Sequence, residues 1–205
     1  VHVGTPQLFE RQMYEQSVDI LGLSPAENGR AVREGYKALD EFSTTLLRKG
    51  REVIDRLEEE DRLGIVLLGR PYHNDPGVNH EILEEFQKLG YPVLTQDALP
   101  IDADILQRFD ISLDITDVWK NAYSENSNRK VWGAKFTARH PNLVALELSS
   151  FKCGHDAPVY TVVEEVVERS GTPYFCFKDI DENKSTGSIR IRVETIHYFL
   201  TRYRE

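Results

Sequence analysis

From residue 64 onward, short apolar runs alternate with segments of helical period. This alternation constrains the fold most, because strands separated by helices build a parallel sheet covered by helices on both faces. Gly64-Ile65-Val66-Leu67-Leu68-Gly69 reads as a first strand. Val78 to Leu89 reads as a helix closed by Gly90 as its C-cap. Tyr91 to Thr95 reads as a short second strand, with Pro92 at its start. Ile101 to Phe109 and Val131 to Arg139 read as helices, and Leu143-Val144-Ala145-Leu146-Glu147-Leu148 as a buried strand. A helix from Val159 to Val167, a strand over Pro173 to Lys178 and a helix from Ile189 to Tyr203 complete the series. Right-handed crossovers restrict the topology. The expected fold class is α/β, a Rossmann-like or flavodoxin-like parallel sheet of about four strands in the order 2-1-3-4.

The residues before this series are helical in pattern. Phe9, Met13, Val18, Leu21 and Leu23 give one apolar stripe. Ser24-Pro25-Ala26-Glu27 is a helix start: an N-cap serine, proline at N1 and a glutamate that completes a capping box. Val32, Tyr36, Leu39, Phe42, Leu46, Leu47, Val53, Ile54 and Leu57 then recur at helical spacing, so this long helix packs on something. The expected organisation is a helical extension over 1–60 packing on the core, followed by a Rossmann-like domain over 61–205.

Net charge and apolar runs exclude some functions. The formal net charge is −9, and basic residues are interleaved with acids apart from Arg190, Arg192, Arg202 and Arg204, so no nucleic-acid partner is expected. No apolar run approaches the roughly 20 residues of a membrane helix, so no membrane partner is expected either. With two cysteines far apart, Cys153 and Cys176, a disulfide scaffold is not expected and the chain reads as intracellular and cytoplasmic. The chain starts with Val1 rather than Met, which points to a piece of a longer protein or to processing. Cys176 sits in Tyr174-Phe175-Cys176-Phe177 and reads as a small buried hydrophobe.

Two polar loops follow apolar strands, at the ends where open α/β sheets place ligands. In Gly69-Arg70-Pro71-Tyr72-His73-Asn74-Asp75-Pro76-Gly77, Gly69 permits a tight exit from the strand. Arg70 is suited to hold a phosphate or carboxylate through a forked pair of hydrogen bonds. His73, Asn74 and Asp75 precede a helix whose N-terminus favours anions, and His80 inside that helix is a candidate companion for His73. The loop is neither a Walker loop nor a dinucleotide fingerprint. The plain alternative is a structured turn with Asn74 or Asp75 capping the helix.

The second loop, Ser149-Ser150-Phe151-Lys152-Cys153-Gly154-His155-Asp156, admits three readings. Cys153 is a metal ligand of the kind iron–sulfur clusters use. Or it is a nucleophile activated by His155 and the helix N-terminus. Or the segment is a simple strand-to-helix turn, with Gly154 supplying unusual dihedrals and Asp156 the cap. The polar segment Trp119 to Lys130 reads either as a lid or partner-binding loop or as a disordered surface segment.

Three stretches carry a family resemblance: Gly69 to His80, Val144 to Asp156, and Thr186-Gly187-Ser188-Ile189-Arg190-Ile191-Arg192. They resemble the large 2-hydroxyacyl-CoA (2-hydroxyglutaryl-CoA) dehydratase activator-related proteins, over nearly the whole chain and most strongly from about Leu63 onward. In that family an actin-like ATPase module delivers electrons from an iron–sulfur cluster. A dehydratase-like module with Rossmann-like subdomains holds another cluster through cysteines. Long forms fuse these modules. The chain resembles a piece of the dehydratase-like part, without ATPase phosphate loops and without the other cysteines. The resemblance implies that Cys153 is a cluster ligand or its near neighbour, with His155 and Asp156 tuning it from behind. It also implies other modules, of the same or a partner polypeptide, as partners, and acyl-CoA as a candidate ligand. No cofactor is expected in the isolated chain, nor dehydratase activity. An anion-binding role for Arg70, toward a CoA or nucleotide phosphate, and an assembly role remain as alternatives.

Overall fold

The computed structural model describes residues 4–120, 124–150, 153–154, 156–180 and 186–204. The chain divides into two compact units, Val1–Leu46 and Leu47–Glu205, with the division inside one helix.

The first unit holds α1 (Pro6–Leu21) and the start of α2 (Pro25–Glu59). The capping box at the start of α2 is formed. Ser24 N–H donates to Glu27 Oε2 at 2.9 Å, and Glu27 N–H donates to Ser24 Oγ at 3.3 Å. Phe9 meets Tyr36 edge-on at 5.7 Å, and Asn28 donates to the Glu10 carbonyl at 2.8 Å. Phe9, Met13, Leu21, Leu23 and Leu39 line an apolar groove of about 430 Å³ between the two helices.

In the second unit, β1 (Gly64–Leu68), β2 (Val93–Thr95), β3 (Leu143–Leu148) and β4 (Tyr174–Phe177) form one parallel sheet in the order β2-β1-β3-β4. Ile65 pairs with Val93 and with Val144, and Leu146 pairs with Phe175. β1 and β3 are buried along their whole length, which is why their sequences run apolar without alternation. Between them lie α3 (Pro76–Asn79), α4 (Ile82–Lys88), α5 (Ala103–Arg108) and α6 (Glu125–Arg139), and α7 (Tyr160–Glu168) and α8 (Thr186–Tyr203) follow. One face of the sheet packs Ile65, Leu67, Val144 and Leu146 against Phe86 of α4 and Val193 and Ile196 of α8. α6 covers β1 and β3 from the other side. The end of α2 contributes buried Ile54 and Leu57. A Cβ at Gly50 would lie 1.6 Å from the Ala98 carbonyl oxygen, so α2 meets that backbone where no side chain fits.

The α/β class and the strand order are those expected from the alternation of patterns. Two helices differ. The single helix expected over Val78 to Leu89 is broken, because His80 and Glu81 take left-handed conformations with φ of 55° and 61°. The N–H groups of both donate to the Pro76 carbonyl and close α3 after one turn. Asn79, Ile82, Leu83 and Phe86 are buried on both sides of the break, so their spacing runs through it and hides it. The helix expected from Val131 starts six residues earlier, at Glu125, where Ser124 Oγ caps it by accepting from Ser127 N–H at 3.3 Å. Residues 125–130 of the segment expected as a lid are therefore helix. Residues 121–123 of that segment lie outside the described residues.

Candidate functional site

The strand order changes direction between β1 and β3, since β2 lies outside one and β4 outside the other. The loops leaving the carboxyl ends of β1 and β3 flank this switch point, where open α/β sheets form a binding crevice. Both polar loops singled out from the sequence are there.

The β1 loop is built around His73. Gly69 lets the imidazole approach, because a Cβ there would stand 2.9 Å from His73 Nδ1. Arg70 N–H donates to His73 Nδ1 at 2.9 Å, and Asn79 Nδ2 donates to the His73 carbonyl at 2.9 Å. The ring is buried, and this desolvation pushes its pKa down to about 4, outweighing the opposite pull of Asp156. His73 is thus a neutral acceptor holding its own loop. Asn74 is exposed, and it is Asp75 that caps α3, accepting from Gly77 and Val78 N–H at 2.8 and 3.2 Å. His80 is the left-handed cap of α3 and not a helix-interior residue.

Arg70 points inward, not to solvent. Its Nε donates to Asp156 Oδ1 at 2.8 Å, its Nη2 to Ser127 Oγ at 3.1 Å and its Nη1 to Ser124 Oγ at 3.5 Å. The carboxylate that the guanidinium was suited to hold is one from the chain itself. Asp156 is fully buried and also accepts from Ser149 Oγ at 2.8 Å. Lys130 Nζ stands 3.5 Å from Asp156 Oδ1 and 2.6 Å from Glu147 Oε1. Tyr174 OH donates to the other Glu147 oxygen, and Tyr160 OH is bonded to Ser149 Oγ. Two cations and two carboxylates are therefore closed against each other behind the crevice. Burial acts to raise the Asp156 pKa, but Lys130, Ser149 and Arg70 outweigh it and hold the carboxyl below its ordinary value. The expectation that Asp156 caps the following turn is corrected: its side chain makes no cap bond and turns into the cluster. Gly154 does not adopt a positive φ, so unusual dihedrals do not account for it.

Cys153 stands at the front of this arrangement. It is half-buried, and its thiol forms no disulfide. Its N–H donates to the Ser150 carbonyl at 2.9 Å, and its carbonyl accepts from Asp156 and Ala157 N–H at 3.1 and 3.2 Å. Burial first, then the Cys153 thiol, pushes the hydroxyl of Tyr72 in the β1 loop up to about 12. His155 lies outside the described residues. Cys176 is on β4, in register with Glu147, and burial raises its thiol pKa. Among the described residues no three His, Cys, Asp or Glu side chains are grouped to hold a metal ion. A four-thiolate cluster needs more cysteines than the two in this chain.

The structure thus joins Arg70, Asp156 and Cys153 at one place, with His73 beneath them. Lys130, Glu147, Ser149, Tyr160 and Tyr174 escaped sequence reasoning. One signal was present: Glu147 is a charge inside an otherwise apolar strand, and a buried charge requires a partner.

An α/β domain with a cysteine loop at its switch point is the class that fold and site define. Residues 1–99 match a family model described as the CoA enzyme activase uncharacterised domain. That match supports the 2-hydroxyacyl-CoA dehydratase activator-related family, the family the three sequence stretches resemble. The matched span includes the β1 loop and ends before the Cys153 loop. No curated protein and no solved structure matches the chain. Among the described residues no helix is long and apolar enough to cross a membrane.

Proposed function

We propose that this chain is a module of an iron–sulfur, ATP-linked redox protein related to 2-hydroxyacyl-CoA dehydratases and their activases. In this reading it is not catalytically complete alone. Other modules, on the same or a partner polypeptide, supply the ATPase and the remaining cysteines, in a cytoplasmic and anaerobic setting. The intact system acts on acyl-CoA thioesters, and Cys153 is this chain's contribution to a shared cluster. The cluster supplies the low-potential electron chemistry. The chain's own residues position the thiol and shield its back from water.

One observation carries the reading: Cys153 is a partly exposed thiol at the switch point, backed by a closed set of buried charges. The matched activase domain supports the same direction. The phosphate-binding alternative would require Arg70 to leave Asp156, a buried pairing whose rupture costs about 3–5 kcal/mol. In the intact protein, Cys153→Ala is expected to lower iron content and visible absorbance. Unchanged iron and an unchanged spectrum would remove Cys153 from the cluster.

A further inference from the structure

We infer that Lys130 is a positioning residue for Cys153, acting through Asp156 from the α6 wall of the crevice. The inference deepens the reading of Cys153 as a functional thiol and rests on it for its biological meaning.

The Cys153 carbonyl accepts the Asp156 N–H, so wherever Asp156 is held, the main chain of Cys153 is held too. The Asp156 carboxylate is tied from three directions. Arg70 reaches it from the β1 loop, Ser149 from the end of β3, and Lys130 from α6. α6 also grips Arg70 itself, through Ser124 and Ser127. Lys130 in turn is fixed by Glu147 on β3, whose other oxygen takes the Tyr174 hydroxyl. The loop carrying Cys153 is thereby locked to β1, α6, β3 and β4 together.

Stability alone does not call for this construction. Arg70 and Asp156 already balance each other. A second buried pair, Lys130 with Glu147, generally contributes no more than well-packed apolar residues of the same volume. What the second pair adds is direction. Lys130 has no exposed surface and sits between two carboxylates, so displacement of Asp156 leaves two buried cations, Arg70 and Lys130, facing the single carboxylate of Glu147. The loop position is enforced by that penalty.

The test uses the 205-residue chain in a Cys176→Ser background, with Cys153 labelling by iodoacetamide as the readout. Lys130→Met/Asp156→Asn removes one cation and one anion together, leaving the local net charge unchanged. The labelling rate then reports loop position, not thiolate electrostatics. Loss of the lock is expected to speed labelling about tenfold in a chain that keeps its native circular dichroism, because local opening becomes easier. Lys130→Met/Glu147→Gln, also charge-balanced, keeps the Arg70–Asp156 pair and is expected to speed labelling about threefold. It makes the same measurement should the first variant fail to fold. A purely structural role would lower the melting temperature in either variant and leave the Cys153 rate within about twofold of the parent, which overturns the inference. The two proposals fail separately. Iron retained in Cys153→Ala refutes the cluster role while the labelling result stands, and an unchanged labelling rate refutes only the positioning.

Discussion

Two parts of the second unit are equally shut off from water and held by opposite means. On one face of the sheet, Ile65, Leu67, Val144 and Leu146 meet Phe86, Val193 and Ile196. At the carboxyl ends of β1 and β3, Arg70, Lys130, Glu147 and Asp156 are buried as deeply. The apolar side is held by burial, which has no direction, and a side chain such as Phe86 gains about 1.5–3 kcal/mol by leaving water. The charged side is held by pairing, and each member is costly unless every other is in place. The first kind of core builds a sheet. The second fixes two loops at one geometry, which a site needs and a sheet does not.

The sharpest way to break this contrast is to damage each core once and then attempt a repair. Lys130→Met strands Glu147 and is expected to cost about 3–5 kcal/mol. Phe86→Ala leaves a cavity and is expected to cost a similar 3–5 kcal/mol or so. Adding Glu147→Gln to Lys130→Met should recover most of the loss, since Arg70 and Asp156 remain as a balanced pair. No neutralising substitution can refill the space left at Phe86. Urea unfolding followed by Trp119 and Trp132 fluorescence reads the second unit alone. If the double variant is as unstable as the single changes summed, the charged cluster behaves as ordinary packing and the contrast is lost.

The same contrast explains what was legible in the sequence. Strand positions and sheet order followed from apolar runs and their alternation with helical segments, because burial leaves a periodic trace. The start of α2 was legible too, since a capping box is local and Ser24 and Glu27 are three residues apart. Arg70 and Asp156 were both picked out, but not as each other's partner, since 86 residues separate them. Lys130 lay in a segment that reads as a polar loop, and its carboxylates arrive from β3 and the following turn. The break at His80 and Glu81 was invisible because main-chain bonds close it while the apolar spacing continues.

A smaller effect separates a buried neutral group from the buried charges beside it. His73 has its pKa lowered to about 4 by burial, against an ordinary 6.5. The unfolded chain takes up that proton first. The stability tied to neutral His73 is complete above pH 6.5 and is lost as pH falls toward 4. The loss rate has a ceiling of about 1.4 kcal/mol per pH unit. Asp156 behaves differently in timing. Its folded pKa lies below the ordinary 3.8, so its contribution persists above that value and is lost only as pH falls through the lower folded pKa. His140 is also displaced downward by burial, which outweighs Glu58, and it remains in both proteins being compared. His73→Gln should therefore flatten the decline in stability between about pH 6.5 and 4 without changing the fall in stronger acid. Equal slopes in the two proteins over that window would mean His73 is not held neutral.

The smallest expected effect comes from polar pairing that stays in water. Ser24 and Glu27 satisfy the first amide groups of α2 at the surface, and Ser24 first of all holds the Glu27 carboxyl below its ordinary value. Water can replace a surface partner, so loss of this pair has a local price where loss of Lys130 has a global one. Ser24→Ala should speed hydrogen exchange at Glu27 and Asn28 by about fivefold, the size of a lost helix cap. The Trp-reported unfolding of the second unit should stay where it was. A shift there of the size expected for Lys130→Met would show that exposed and buried pairs are not separable in this chain. The distinction between the two kinds of core would then have to be drawn by connectivity rather than by burial.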